Sequence, residues 1–181
     1  MESRLAGVVS IEPELHTDAR GFFARIFCRD EFRRLGLPAD IAQENLSYNE
    51  RKGTLRGLHY QAEPGGEAKL VRCIRGVIHD VVVDLRRASA TFGQWESFRL
   101  DDVNRRSLFI PAGCAHGFQT LADATELHYA MSAPYAPHLD LGVRWNDPDL
   151  GIAWPLADPI LSEADRALPT FREAFGADVR S

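Results

Sequence analysis

Short apolar runs alternate with turn residues through the middle of the chain, between residues 69 and 132. The runs are rich in Val, Ile, Phe or Leu and are bounded by Gly, Pro, Asp or Asn, which is the pattern of β-strands joined by turns. They read KLVRCIRG, VIHDVVVDLR, WESFRL, SLFIPAG, GFQTL and ELHYAMS. Many short strands at such spacing predict an all-β fold, either a sandwich or a barrel.

Helical signals are confined to the two flanks of this strand-rich region. The segment CRDEFRRLGLP ends in Gly36 and Pro38, two residue types that terminate helices. The segment LSEADRALPTFREAFG begins with Ser162, which can cap a helix, and has Asp165 three residues further on. No linker, charge block or internal repeat divides the chain, so residues 1–181 are predicted to form a single domain.

Composition and charge narrow the classes of function. The 181 residues are 45% hydrophobic and 26% charged, and no apolar run approaches the roughly 20 residues that a membrane-spanning helix needs. The N-terminal MESRLAGVVSIEPEL lacks the apolar core of a secretory signal, which predicts a cytoplasmic protein. A net charge of -5 disfavours nucleic-acid binding, because such binding relies on excess Lys and Arg.

Three cysteines, Cys28, Cys73 and Cys114, are odd in number and have no CxxC spacing. This pattern argues against a disulfide framework and against a structural zinc site. The cysteines are therefore predicted to be reduced.

The stretch GTLRGLHYQAEPGGEAKL raises the question of whether His59 is a metal ligand, a catalytic base or a packing residue. Metal-binding cupin barrels use an HxH motif followed by Glu, and later a PxG motif with a further histidine. The segment PAGCAH retains the later motif with His116, but Gln61 stands in place of the second imidazole. Lys69 stands in place of the carboxylate, and a protonated lysine cannot ligate a cation. The sequence therefore predicts no metal site.

Four residues of the predicted barrel, Arg56, His59, Lys69 and His116, suit anion binding and proton transfer. Arg presents a planar fork to phosphate oxygens, Lys a compact charge to a developing oxyanion, and His a general base near neutral pH. On a regular strand Arg56 and His59 would point to opposite faces, but a bulge at Gly57 would turn both toward one cavity. These residues predict acid–base chemistry on a phosphorylated small molecule.

Five blocks of the chain, in family order, resemble dTDP-4-dehydrorhamnose 3,5-epimerases and related nucleotide-sugar enzymes. They are GTLRGLHYQ, KLVRCIRGVIHDVVVDLR, PAGCAHGFQ, GVRWNDPDLGIAWP and ILSEADRALP, and the resemblance runs from about residue 5 to residue 169. It implies a metal-free, cupin-like double-stranded β-helix, that is, a jelly-roll sandwich or barrel, assembled as a homodimer. It also implies a cofactor-independent epimerase that acts on a nucleotide-diphosphate-linked 4-keto-6-deoxy sugar.

The resemblance assigns a role to each matching residue. His59 corresponds to the catalytic base, Asp165 to its carboxylate partner and Tyr129 to the proton donor. The substrate-contacting positions are Arg20, Gln43, Asn45, Arg56, Lys69, His116 and Tyr135, the last of which would stack on the nucleobase.

The implied reaction is chemically coherent. The C4 ketone acidifies the hydrogens at C3 and C5, so that His59 can remove one and leave an enolate. Lys69 or His116 would stabilise the charge on O4, and Tyr129 would return a proton from the opposite face. Asp165 would orient the imidazole. No step needs a redox cofactor.

Three positions depart from the family pattern. Arg25, the second residue after GFF, stands where Glu is common. Ala130 follows Tyr129 and Ala164 precedes Asp165, and Lys is frequent at both of these positions. The altered charges suggest a changed ligand.

Other functions remain open on the sequence. The alternatives are a single-centre 3-epimerase or a ketoisomerase on a different nucleotide sugar, a non-catalytic cupin that binds a sugar nucleotide, and a metal-dependent dioxygenase. Without the resemblance, Tyr129 and Tyr135 would be read as ordinary barrel aromatics, and Asp165 as an acid in the first turn of a helix. His79, Trp145 and Trp154 are predicted to be structural.

Overall fold

Strands make up most of the part of the chain that the computed structural model describes, residues 3–176. They are β1 (Val9–Ile11), β2 (His16–Asp18), β3 (Gly21–Phe23), β4 (Gln43–Asn49), β5 (Leu55–Gln61), β6 (Lys69–Arg75), β7 (Val77–Asp84), β8 (Trp95–Asp101), β9 (Ser107–Ile110), β10 (Cys114–Thr120), β11 (Thr125–Met131) and β12 (Asp140–Gly142). The helices are α1 (Arg29–Arg34), α2 (Glu163–Arg166) and α3 (Phe171–Phe175). The predicted all-β class with short flanking helices is confirmed.

The strands form two five-stranded antiparallel sheets and a separate hairpin. The first sheet has the order β1-β9-β6-β11-β4, the second has the order β12-β5-β10-β7-β8, and β2 pairs with β3. Alternate side chains of both sheets meet in one apolar cluster, in which Val71 and Leu127 of the first sheet pack with Val82 and Phe118 of the second. The interior between the two sheets is therefore the core of a sandwich.

All six predicted apolar runs are strands, β6 to β11 in chain order. The C-terminal helical segment is divided into α2 and α3, because Pro169 cannot continue a helix. Ser162 caps α2 by accepting a hydrogen bond from the Asp165 N–H, and Thr170 with Glu173 forms a capping box on α3. Within residues 3–176, no helix is both long enough and apolar enough to cross a membrane. Residues 1–2 and 177–181 of the predicted domain lie outside the described residues.

Strand β5 contains the bulge that the sequence suggested at Gly57. His116 of β10 lies opposite His59, but Phe118, two residues further, lies opposite Arg56, so β5 holds one extra residue here. Gly57 has a φ of 126°, and a Cβ at this position would lie 2.5 Å from the Cα of Gly117. Only glycine, which has no Cβ, allows the two backbones to come this close. Because directly opposed residues share a face, the bulge places Arg56 and His59 on the same face of β5, the face that meets the core through Phe118. Arg56 is exposed at the rim of this face, and His59 is half-buried.

The loop after β7 is organised around Asp84, whose side chain is fully buried. Its carboxylate accepts hydrogen bonds from Arg86 Nε at 2.8 Å and from Thr91 Oγ1 at 2.6 Å, and a further one from the Ser89 hydroxyl. Burial opposes ionisation of Asp84, but these hydrogen bonds outweigh burial and lower its pKa to about 2. The folded state therefore binds the Asp84 proton less tightly than the unfolded chain does.

We expect Asp84→Asn to lower the free energy of unfolding by about 2 kcal/mol at pH 7, because the lowered pKa of Asp84 is a stability contribution. This contribution is present above the unfolded pKa, near 4, and is lost as the pH falls toward 2. Urea unfolding of wild type and variant at several pH values checks it. The difference between the two proteins should shrink between pH 4 and pH 2, and a difference that does not change with pH would contradict this account.

Candidate active site

Polar side chains interrupt the apolar interior of the sandwich. Lys69 shares a face of β6 with Val71, and His116 lies on β10 between two core residues. Tyr129 of β11 packs against the same core cluster, and its ring centroid lies 6.1 Å from that of His116. Lys69 and His116 are buried. Both sheets therefore contribute functional groups to one interior region.

His59 is paired with Asp165, 106 residues further along the chain. The His59 Nε2 and the Asp165 Oδ1 are 2.6 Å apart, and the Asp165 carboxylate also accepts hydrogen bonds from the Ser162 hydroxyl at 2.7 Å and the Gly57 N–H at 3.3 Å. Burial opposes ionisation of Asp165, but these hydrogen bonds, that of His59 foremost, hold its pKa below its ordinary value. An ionised Asp165 accepts the proton on Nε2, so Nδ1 of His59 is the nitrogen that can take up a proton.

A second histidine–carboxylate pair, between His116 and Asp80, lies deeper in the interior. The His116 Nε2 is 2.8 Å from Oδ2 of Asp80, which is fully buried on β7. Oδ1 of Asp80 is a buried oxygen without a hydrogen-bond partner among the described residues. Asp80 is not among the site residues predicted from the sequence. Its position as a charged residue in the middle of the apolar run VIHDVVVDLR could have indicated a functional role.

Tyr129 is half-buried, and its hydroxyl lies near one negative and one positive side chain, those of Asp80 and Arg56. Burial raises the pKa of Tyr129 well above its ordinary value, and the charge of Asp80 raises it further. The charge of Arg56 and a hydrogen bond with Ser47 act in the opposite direction. Arg56 is held by its Nε, which donates to Asn49 Oδ1 at 2.8 Å. Tyr129 therefore stays protonated. The positive charge of Arg56 nearby would stabilise the tyrosinate that forms when Tyr129 gives up its proton.

Lys69 extends from the first sheet toward His59 of the second sheet. Its Nζ donates a hydrogen bond to the backbone carbonyl oxygen of His59 at 3.3 Å and lies 3.2 Å from Oε1 of Glu67. The ammonium group is therefore beside the strand that carries His59.

Gln43, Asn45 and Tyr135 lie together at the edge of the first sheet. Asn45 pairs with Tyr129 in the register of β4 and β11, and the Gln43 Oε1 accepts a hydrogen bond from the Tyr135 N–H at 2.8 Å. The Tyr135 side chain is exposed, and its hydroxyl donates to Asp140 at 3.1 Å. Because the same Asp140 lies 3.9 Å from Nδ1 of His59, Tyr135 is linked through one carboxylate to His59.

Gln61, which replaces a metal-ligating histidine in the cupin pattern, supports this edge. Its amide nitrogen donates to the Pro134 carbonyl at 3.2 Å, and its amide oxygen accepts from the Ala136 N–H at 2.8 Å. Gln61 thus fixes the segment on both sides of Tyr135. Across residues 3–176, no three side chains of His, Cys, Asp or Glu are grouped so as to hold a metal ion.

Arg20 lies apart from the other candidate residues. It sits in the hairpin formed by β2 and β3, its side chain is 90% exposed, and it pairs with Asp18 on the same hairpin. Arg25 follows this hairpin and pairs with Glu31 of α1 at 2.9 Å. A substrate contact of Arg20 therefore stays a prediction.

The position of Ala130 corrects one inference from the sequence. Ala130 neighbours Tyr129 on β11, and side chains alternate along a strand, so it faces the outer side of the first sheet. There it is buried in a cluster with Phe32, Leu70 and Phe109. The missing lysine at this position therefore leaves the interior site unchanged. Ala164, in contrast, is exposed on α2 directly beside Asp165.

Comparisons with known proteins agree on one family. The family profile described as dTDP-4-dehydrorhamnose 3,5-epimerase matches residues 2–173. A dTDP-4-dehydrorhamnose 3,5-epimerase of Methanothermobacter thermautotrophicus is 47% identical over 176 residues, which cover 96% of this chain and 94% of that protein. A dTDP-4-dehydrorhamnose 3-epimerase of Streptomyces niveus is 43% identical, covering 96% of this chain and 84% of that protein.

The solved structures agree with the sequence comparison. The crystal structure of dTDP-4-dehydrorhamnose 3,5-epimerase from Bacillus anthracis, with TDP and PPi bound, aligns with a TM-score of 0.92 at 42% identity. The alignment covers 94% of this chain and 98% of that chain. The predicted cupin-like fold is thereby confirmed.

Proposed function

The chain belongs to the dTDP-4-dehydrorhamnose 3,5-epimerase family and is an isomerase of the sugar-epimerase class, and we propose that it inverts C3, C5 or both of a nucleotide-diphosphate-linked 4-keto-6-deoxy sugar. The observation that carries the proposal is the pair of His59 and Asp165, placed by the Gly57 bulge toward the same interior as Tyr129. A relative that carries bound TDP supports a thymidine nucleotide in the substrate.

Proton removal falls to Nδ1 of His59. Asp165 Oδ1, which lies 2.6 Å from Nε2, accepts the hydrogen bond of the Nε2 proton and compensates the positive charge that the ring gains when Nδ1 takes up the substrate proton. The C–H bond at C3 or C5 breaks, and its hydrogen goes to Nδ1 as a proton. The bonding electron pair forms a C=C bond to C4, and the π pair of the C4 carbonyl moves to O4, which leaves an enolate.

The enolate oxygen needs hydrogen-bond donors that are in place before the reaction. The Lys69 ammonium, which is already beside the His59 strand, supplies a positive charge for O4. His116, whose Nε2 lies 2.8 Å from the Asp80 carboxylate, is the second candidate, and it can donate to O4 when both of its ring nitrogens carry a proton.

Tyr129 returns the proton. Burial keeps its hydroxyl protonated, and the nearby charge of Arg56 favours the tyrosinate at the moment of transfer. Because Tyr129 projects from the first sheet and His59 from the second, the two groups lie on opposite sides of the interior. A sugar ring bound between them is deprotonated on one face and reprotonated on the other.

Nucleotide binding falls to the edge formed by Gln43, Asn45 and Tyr135. The exposed ring of Tyr135 offers a face for stacking on the base, and Arg56 is placed to contact an anionic group. The exposed hairpin with Arg20 carries Phe22 and Phe23, which are 49% and 73% exposed. Exposed aromatic side chains of this kind support a homodimer in which the hairpin contacts a second copy of the chain. The cytoplasmic location and the single-domain organisation stay predictions.

Proton NMR in D2O on dTDP-4-keto-6-deoxyglucose tests the proposal. We expect solvent deuterium at C3, at C5 or at both, together with an epimerised product, because each inversion passes through the enolate. Absence of exchange at both carbons with folded wild-type protein would contradict the proposed function. Uridine and guanosine analogues of the sugar nucleotide test whether Arg25 and Ala164 alter the choice of base.

A single-centre reaction is the second candidate, since the similar proteins include both a 3,5-epimerase and a 3-epimerase. Counting the exchanged carbons in the same NMR experiment separates them. Deuterium confined to C3 identifies a 3-epimerase, whereas deuterium at both carbons with inversion identifies a 3,5-epimerase.

A further inference from the structure

Glu67 is a buried carboxylate whose role the reaction described above leaves open. Its side chain and that of Lys69 are each 8% exposed, and the Oε1 and Nζ atoms are 3.2 Å apart. Glu67 lies in the loop before β6, and its charge also raises the pKa of the Tyr135 hydroxyl, behind the larger effect of Asp140. The carboxylate therefore lies directly beside the ammonium of Lys69.

Lys69 can donate three hydrogen bonds. The carbonyl oxygen of His59 accepts one and Glu67 is within reach of a second. Two anchors fix the direction of the flexible side chain, and one N–H remains for a substrate oxygen. Without Glu67 the ammonium would have a single backbone anchor.

Charge gives a second reason for the pair. The Lys69 ammonium is the positive charge proposed for the enolate oxygen, and the facing Glu67 carboxylate offsets the cost of burying that charge. A buried carboxylate is itself costly, so a loop that needed only packing would be served better by a neutral side chain. The other charged or titratable groups of the site are Arg56, His59, Asp80, His116, Tyr129, Asp140 and Asp165.

We propose that Glu67 is a positioning residue of the epimerase reaction, which holds the Lys69 ammonium in place and directed toward the enolate oxygen. Glu67 acts through Lys69 and does not touch the reacting atoms. This inference rests on the proposed function, and it adds a residue that the sequence did not single out.

A double-mutant cycle of Glu67→Gln and Lys69→Met tests the proposal by steady-state turnover of dTDP-4-keto-6-deoxyglucose. Glu67→Gln retains an acceptor oxygen but removes the charge, so we expect kcat to fall by about 10- to 100-fold with KM changed by less than about twofold. In the Lys69→Met background, Glu67→Gln should change kcat by less than about twofold, because its partner is absent. Glu67→Asp, which retains the charge, should recover part of the lost kcat.

Glu63→Gln is the matched control, because Glu63 is an exposed carboxylate in the same loop. It should have the kcat and KM of the wild type. A Glu67→Gln variant with wild-type kcat would overturn the inference. So would a loss of the same factor in the wild-type and the Lys69→Met backgrounds, since Glu67 would then act independently of Lys69.

Folding stability tests the ion pair without any substrate. Lys69→Met leaves a buried carboxylate unpaired, so the double variant should unfold at a higher temperature than Lys69→Met alone. A double variant that is less stable than both single variants would contradict the pair. If the wild type shows no exchange but the stability cycle shows coupling, the proposed function fails while the pair stands. If the wild type exchanges normally and neither cycle shows coupling, only the role of Glu67 fails.

Discussion

His59→Ala is expected to lower the rate of solvent exchange at the sugar C3 and C5 by about 10³-fold, since general-base catalysis typically contributes 10²- to 10⁴-fold. The Nδ1 of His59 is the free nitrogen of a ring whose Nε2 is held by Asp165 at 2.6 Å. Epimerisation should slow by a similar factor in the variant, because both reactions pass through the same enolate. Deuterium incorporation followed by NMR over hours checks the result.

His59→Gln is a second variant that separates chemistry from folding. Its side-chain amide can still donate to the buried Asp165 but cannot act as a base, so it should be as inactive as His59→Ala and more stable. His138→Ala, at an exposed histidine of the Pro137–Leu139 turn, serves as the control and should exchange at the wild-type rate. Exchange that is undiminished in folded His59→Gln would contradict the assignment of the base.

Tyr129→Phe is expected to separate exchange from inversion. With His59 intact, the hydrogen is still removed and returned on the same face, so deuterium should enter the sugar within about tenfold of the wild-type rate. Inverted product should fall by about 10²- to 10³-fold, because the acid on the opposite face is lost. The measurement is the ratio of deuterium incorporated to epimer formed, obtained from one NMR time course.

The control for this variant is Tyr60→Phe. Tyr60 lies on the outer face of β5 and packs against Phe175, with ring centroids 6.5 Å apart. The Tyr60→Phe variant should leave the rates of deuterium incorporation and of epimer formation unchanged. Tyr129→Phe should remain folded, because the loss of one hydrogen bond to Ser47 costs about 1 kcal/mol. Formation of inverted product at the wild-type rate in Tyr129→Phe would exclude Tyr129 as the proton donor.

The sequence predicted the strands that are apolar and missed those that are polar. Runs β6 to β11 have one face in the core, and their hydrophobic residues made them recognisable. Strand β4, QENLSYN, is an edge strand whose side chains Gln43, Asn45 and Ser47 line the candidate site instead of the core. Its polarity hides it from a search for apolar periodicity, although the resemblance still placed two of its residues in the site.

The residue types along β5 predicted part of the candidate site. The remaining residues join it through contacts between segments that are distant in the sequence. A glycine between Arg56 and His59 was enough to suggest the bulge, because only a bulge turns both side chains inward. Asp80 and Glu67 were missed, since a carboxylate in an apolar strand or a loop has no visible partner until β7 pairs with β10 and Glu67 meets Lys69. The period of two along β11 could have separated Ala130 from Tyr129 in advance.

A crystal structure of the protein with a bound dTDP-linked deoxysugar tests the central claim most directly, because the proposed reaction needs the sugar ring to lie between His59 and Tyr129. We expect C3 or C5 to lie about 3 to 3.5 Å from Nδ1 of His59, with the Tyr129 hydroxyl on the opposite face of the ring and O4 beside Lys69. A sugar bound away from this interior, or with His59 and Tyr129 on the same face of the ring, would contradict the account.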